Sequence, residues 1–206
     1  MKIAPNSNMV LSKEDKKLII NQLAKKYEEI LDIMKFDRSN HNIEDTPHRM
    51  AKMYINEIFK GCYTEEPKVT VFPDVSKVDQ MITLGPIDLK STCSHHWQNF
   101  VGEAYVSYIP NGKVCGVSKL ARIVDWYARR PQIQEELTQQ IAEHIERKLE
   151  PLGLGIFITA KHFCMSVRGV EQFNSTMDTC ALRGNFKESA TKNEFLQFVQ
   201  MKRNKS

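Results

Sequence analysis

The sequence predicts an α+β fold, with a helical segment over residues 1–65 and a sheet-bearing domain over residues 66–206. Three observations carry this prediction. Apolar residues recur at three- and four-residue steps until about Gly61, the period shortens to two from Val69, and the later elements run strand, strand, helix, helix, strand, strand. That order favours an antiparallel sheet.

Residues 1–11 read as a lead, and Ser12 with Asp15 forms a capping pair for the first helix. Ile19, Leu23, Tyr27, Ile30, Leu31 and Met34 form its apolar stripe, which ends near Lys35. After a polar loop, Asp45-Thr46-Pro47 opens a second helix with a capping side chain and proline in the first turn. Met50, Tyr54, Ile58 and Phe59 are its buried side, and Gly61 ends it. Val69–Phe72, Gln80–Leu84 and Gly102–Ile109 are strands, the last closing at the turn Pro110-Asn111-Gly112. A helix from Ser118 to about Arg129 carries Leu120, Ile123, Val124, Tyr127 and Ala128 on one stripe. The next starts at Pro131, with Ile133, Leu137, Ile141, Ile145 and Leu149 inward. Gly155–Ala160 resumes a strand that runs through His162-Phe163-Cys164, Thr179–Leu182 is the last strand, and Asn193–Met201 a C-terminal helix.

Composition narrows the function. Hydrophobic residues at 41% can bury a core, and the formal charge of +4 allows an anionic ligand. The cations do not cluster into the stripe of a nucleic-acid binder, so no nucleic acid is expected. No apolar run reaches bilayer length and MKIAPNSNM lacks the apolar core of a secretory signal, so no membrane is expected either. Five cysteines without framework spacing read as reduced thiols of a cytoplasmic protein.

Two of those thiols sit beside histidines. Cys93-Ser94-His95-His96 separates Cys93 from His96 by two residues, a spacing a tight turn can wrap around one ion. On a strand, His162 and Cys164 would face one space. Cys93, His96 and Cys164 then make a two-thiolate, one-imidazole set with a vacant fourth position, the pattern of catalytic zinc. His95 and His162 remain as imidazoles suited to proton transfer. The competing reading is packing, the usual fate of buried cysteines and the one expected for Cys62, Cys115 and Cys180.

Gly116-Val117-Ser118-Lys119 leads into a helix with Ser118 as N-cap and Lys119, Arg122 and Arg129 on the polar face, a place for phosphate. A solvated basic face is the plainer alternative. Gln134 and Glu135 start the following helix on a polar surface, and Glu135 is either an ordinary first-turn acid or an acceptor for a base edge.

These segments together resemble GTP cyclohydrolase I. The resemblance runs from Asp45-Thr46-Pro47-His48-Arg49 through the C-terminal helix and rests on motifs in register. They are Cys93-x-His95-His96, Tyr108-Ile109-Pro110, Gly116 to Val124, Arg130 to Thr138, and His162-Phe163-Cys164-Met165 followed by Arg168-Gly169-Val170. The resemblance implies the tunnelling fold: an antiparallel four-stranded sheet with two helices, whose copies join into barrels stacked as a homodecamer with sites between subunits. It implies Zn2+ on Cys93, His96 and Cys164, with His95 and His162 catalytic and Ser118 a proton-transfer partner. Ser118, Lys119, Arg122 and Arg168 match residues that hold a triphosphate, and Gln134 and Glu135 match those at guanine. The implied reaction converts GTP and water to 7,8-dihydroneopterin triphosphate and formate, the first step towards pterins, folate or deazaguanine bases.

The pattern departs at Ser94, where the family usually has glutamate, and mildly at Val117, where leucine is usual. Since Ser94 is not a ligand position, the metal is expected to survive. Two rivals remain. One is a pterin epimerase or deazaguanine nitrile reductase on the same architecture, the reductase needing a nucleophilic cysteine and no zinc. The other is a non-catalytic zinc-stabilised module that binds nucleotide, against which Lys119, Arg122, Glu135 and His162 all speak.

Overall fold

A computed structural model describes residues 2–204 and divides the chain into two compact units, Met1–Glu65 and Glu66–Ser206. In the first unit, α1 (Lys13–Ile33) starts at a reciprocal capping box. Asp15 N–H donates to the Ser12 hydroxyl, and the Asp15 carboxylate accepts from Ser12 N–H. Such a cap contributes about 1 kcal/mol.

Helix α2 (Thr46–Met53) has Pro47 in its first turn, but Asp45 makes no cap bond and pairs instead with Arg49 at 3.2 Å. The helix continues as a π turn over Tyr54–Ile58 and a 3-10 turn over Lys60–Cys62. Ile20 and Ala24 of α1 meet Ala51 and Ile55, whereas Ile30 and Met34 of the expected stripe are exposed. The cause is length. Residues 46–58 span about 20 Å at 1.5 Å per residue, about two-thirds of the length of α1.

The second unit runs β1 (Val71–Pro73), β2 (Ile82–Cys93), β3 (Asn99–Ile109), β4 (Lys113–Cys115), α3 (Val117–Ala128), β5 (Pro131–Gln132) and α4 (Gln134–Leu149). It continues through β6 (Gly153–His162), the single turn α5 (Phe163–Ser166), β7 (Met177–Gly184) and α6 (Ser189–Arg203). The main sheet has the order β5-β2-β3-β6-β7, and β1 and β4 form a separate ribbon. Each neighbouring pair among β2, β3, β6 and β7 is antiparallel, and β5 lies parallel to the last two residues of β2. The fold is thus mixed helix and sheet, as expected.

Three boundaries correct the sequence reading. Strand β2 extends well past Leu84, to Cys93, resuming after a register shift between Leu84 and Ile87. Helix α4 starts at Gln134, because Pro131 and Gln132 pair with Thr92 and Cys93. Strand β6 stops at His162, so Cys164 lies on a helical turn; the Ser166 hydroxyl donates to the His162 carbonyl at 2.8 Å and fastens that turn.

One face of the sheet packs under α3 and α4. Leu120, Ile123, Val124, Leu137, Ile141, Ile145 and Leu149 bury against Ala104, Val106, Tyr108, Leu154, Ile156 and Ile158. Each such aliphatic side chain contributes roughly 1.5–3 kcal/mol of burial, so truncation of any one is costly. The other face carries Tyr105 with Phe186, Phe195 and Val199, so β3 is buried on both sides.

Register decides where the chemistry-bearing residues meet. Thr92 faces Asn99, and Phe100 faces His162, which gathers the end of β2, the start of β3 and the end of β6 at one end of the sheet. Gly102 permits the close approach, since a Cβ there would collide with the Thr159 carbonyl. Among the described residues no helix is long and apolar enough to cross a membrane.

Candidate metal and substrate site

Cys93 is the last residue of β2, and the turn that follows is tied at both ends. Cys93 N–H donates to Gln98 O at 2.8 Å and Trp97 N–H to Cys93 O at 2.9 Å, with Trp97 in the left-handed region at φ 53°. Ser94 N–H donates to Gln132 O at 3.2 Å, so β5 anchors the turn from its other side. The Gln132 amide in turn donates to the Tyr127 carbonyl and reaches the Ser91 hydroxyl.

Facing this turn are His162 and Cys164. Ligand atoms of Cys93, His162 and Cys164 all lie within 4.8 Å of one another, with Cys93 buried and the other two half-buried. Burial and the neighbouring Cys93 thiol push the Cys164 thiol up. Two thiols and an imidazole converging this closely fit a soft or borderline dication, which would reverse that penalty and hold both sulfurs as thiolates.

The imidazoles fall differently from the expected pattern. His162, expected to stand beside the metal, belongs to the convergent set. His96, expected within it, lies on the exposed turn outside it. His95 is exposed too, with Nδ1 3.7 Å from Cys93 Sγ. Burial pushes the pKa of His162 down, against a smaller opposing pull from Glu135. The Phe100 ring lies flat against His162, with centroids 4.6 Å apart and planes 6° from parallel.

Gln134 is not on a polar surface. It is fully buried, donating its side-chain N–H groups towards Ile158 O, Met177 O and Thr179 Oγ1, with His162 Nε2 2.9 Å from its Oε1. Helix α4 is entered through extended Ile133, and this places Gln134 over β6 and β7. Sequence periodicity could not find this, because the partners lie 24 to 45 residues further on. Glu135, next to it, is exposed and sits with Glu136 in the first turn, where the helix dipole favours an acid.

At the start of α3 the N-cap is Gly116, and Ser118 lies inside the first turn without a capping bond. Extended Gly116 takes the cap position, and its carbonyl accepts from Lys119 N–H at 2.8 Å. That first turn holds no acid, although it carries Lys119 at the positive end of the dipole. Ser118 and Arg122 are exposed and Lys119 half-buried. Arg168 is exposed after α5 and donates to the Cys164 carbonyl at 3.4 Å. The expectation that Cys180 packs in a core is not met within this chain, since Cys180 is exposed on β7.

Comparison with known proteins adds family context. The family model described as GTP cyclohydrolase I matches residues 23–200. A protein of Photobacterium profundum named GTP cyclohydrolase 1 is 40% identical over 198 residues, covering 95% of this chain and 90% of its own. One of Aeromonas salmonicida with the same name is 47% identical over 169 residues, covering 81% of this chain and 78% of its own. A solved structure described as the archaeosine synthase QueF-Like in the apo form superposes with a TM-score of 0.39 at 17% identity, covering 59% of this chain and 98% of that one.

Proposed function

The chain belongs to the GTP cyclohydrolase I family, and from that premise we propose that it converts GTP and water to 7,8-dihydroneopterin triphosphate and formate. The observation that carries the site is the convergence of Cys93, His162 and Cys164 within 4.8 Å.

Cys93, His96 and Cys164 would hold Zn2+, and when bound the metal supplies Lewis acidity that makes water a competent nucleophile near neutral pH. The C-x-x-H spacing and the family motif support His96 as the third ligand, with the turn at Ser94–Gln98 carrying it. The distances within this chain favour a second assignment, with His162 in that place. Zinc content of the two histidine variants separates them.

His162, depressed in pKa and stacked on Phe100, gives and takes the proton at the purine N7 as the five-membered ring opens. His95 and Ser118 serve proton transfer in the later rearrangement. Glu135 accepts from the N1 and amino donors of guanine, a pairing that adenine lacks. Ser118, Lys119, Arg122 and Arg168 hold the triphosphate. The acid-free first turn of α3 supports this, because Lys119 and the positive end of the helix dipole would be complemented by an anion. Gln134 is implied at guanine by the resemblance, yet its amide is engaged within the protein at both ends.

The active species is a ring-forming homo-oligomer, a decamer by family resemblance, with sites completed between subunits and residues 66–206 as the catalytic domain in the tunnelling fold. Two features support assembly. Among the described residues, strand β7 is an outer strand of the sheet and β2 has a strand partner on its outer side only at Thr92 and Cys93. Val167, Val170 and Phe173, flanking Arg168, are exposed. Five free cysteines fit a cytoplasmic setting. The test is incubation of the zinc-loaded protein with GTP. Equimolar formate and a pterin fluorescent after oxidation are expected; turnover of a nitrile, or nucleotide binding without formate, would select a rival.

A further inference from the structure

We infer that Gln134 is a positioning residue for His162: its side-chain oxygen accepts from His162 Nε2–H and so fixes the tautomer and orientation of the ring at the site. The inference rests on the proton-transfer role proposed for His162, but its geometry stands independently.

The orientation of the amide follows from its surroundings. Gln134 Nε2 faces two backbone carbonyls, Met177 O at 2.9 Å and Ile158 O at 3.2 Å, which can only accept. Its third neighbour, Thr179 Oγ1 at 3.0 Å, accepts as well, by a chain of deduction. The Thr138 hydroxyl donates its one hydrogen to the Gln134 carbonyl at 2.7 Å. In the 2.7 Å contact between Thr138 and Thr179 the donor is therefore Thr179, which leaves the Thr179 oxygen free to accept from the amide. A flipped amide would set its oxygen against two carbonyl oxygens. Oε1 must then face His162, and at 2.9 Å the Nε2 of a neutral imidazole satisfies it only by donating.

Burial makes this orientation durable. Gln134 is 0% exposed, so no water stands in for a lost partner. Phe100 lies 4.6 Å from the His162 ring and parallel to it, and so restricts ring rotation. The same network bonds α4 to β6 and β7, so the ring is referred to the sheet and not to a loop. An orienting group behind a proton-transferring histidine fixes its tautomer and supports the imidazolium when it forms. Here a neutral amide fills that place, with the full-time engagement that a guanine contact would not allow.

Magic-angle-spinning 15N NMR of the zinc-loaded, histidine-labelled protein reads the tautomer, and His162→Asn identifies the His162 signals among six histidines by their loss. The wild type is expected to show a protonated Nε2 and an unprotonated Nδ1. Gln134→Met, similar in shape but without the acceptor, should lose that preference and reduce kcat for formate release by about 10- to 100-fold, with zinc content unchanged. KM for GTP should move by less than about twofold, which separates positioning from guanine binding. Gln134→Glu keeps an acceptor and should keep the Nε2–H ring. An Nδ1–H ring in the wild type overturns the inference, and this spectrum decides even if Gln134→Met does not fold. So does a Gln134→Met protein with its tautomer intact, or with raised KM and unchanged kcat. A wild type with the Nε2–H ring that releases no formate overturns the enzymatic reading and leaves the tautomer assignment in place.

Discussion

At one end of the sheet Cys93, Gln134, His162 and Cys164 find their partners within a single chain. At the start of α3, Ser118, Lys119 and Arg122 face outward, and among the described residues their side chains make no hydrogen bond or ion pair. The difference is one of what desolvation has already accomplished. In the closed region the fold has already withdrawn Cys93, Gln134, His162 and Cys164 wholly or partly from water, so the groups are held in place before any substrate arrives. In the open region the cations remain hydrated and gain little until an anion brings charge to them. Under the proposed function, chemistry would belong to the first and affinity to the second, and damage to each should look different.

The largest effect is expected from the closed region. Cys164→Ser should lose both zinc and formate release, because a hard hydroxyl replaces a thiolate on an ion that selects sulfur. Elemental analysis and a formate assay on one sample check it; full zinc with normal turnover would remove Cys164 from the ligand set. A smaller effect is expected at the open region. Arg122→Ala should raise KM for GTP by about tenfold or more while kcat stays within about twofold, since binding common to ground and transition states is lost. The wild-type KM should also climb with salt, more steeply than that of the variant. Unchanged KM and salt dependence would detach Arg122 from the triphosphate.

A third effect, on stability and not on turnover, probes the joint between the helices that carry the two regions. Tyr127 of α3 meets His144 of α4 at 3.2 Å, and burial pulls the His144 pKa from 6.5 down to about 4, against an opposing pull from Glu66. A depressed imidazole favours the fold while it stays neutral. Its contribution is therefore present above pH 6.5 and is lost as pH falls towards 4, where the unfolded chain has taken up the proton first. Stability should drop by up to about 3 kcal/mol across that window, and His144→Asn should flatten the slope in urea titrations. An equal slope in the variant would assign the acid sensitivity to other groups.

How much of this is legible in the sequence depends on the range of the interaction. Helices α3 and α4 carry unbroken apolar stripes, and Leu137, Ile141, Ile145 and Leu149 are all buried as their spacing requires. The sequence reading ends this strand at Leu84, whereas β2 runs on to Cys93. The alternation of exposed Asp88 and Lys90 with buried Ile87, Leu89 and Ser91 is nevertheless present in the chain. Local motifs pair Cys93 with Cys164, and the two do meet, but by a route the sequence does not disclose. A helical turn carries Cys164 and strand register supplies the rest. Gln134 reads as a surface residue because all four of its side-chain partners come from β6 and β7, beyond any local pattern.

The division of labour inside the closed region is most directly tested by measuring zinc and formate on His96→Ser and His162→Ser side by side. His96→Ser should lose both. His162→Ser should keep its zinc while formate release falls by about a hundred- to ten-thousand-fold, the usual contribution of a positioned acid or base. If His162→Ser instead loses zinc while His96→Ser retains it, the imidazole that converges on the two thiols is the ligand, and proton transfer must be sought elsewhere.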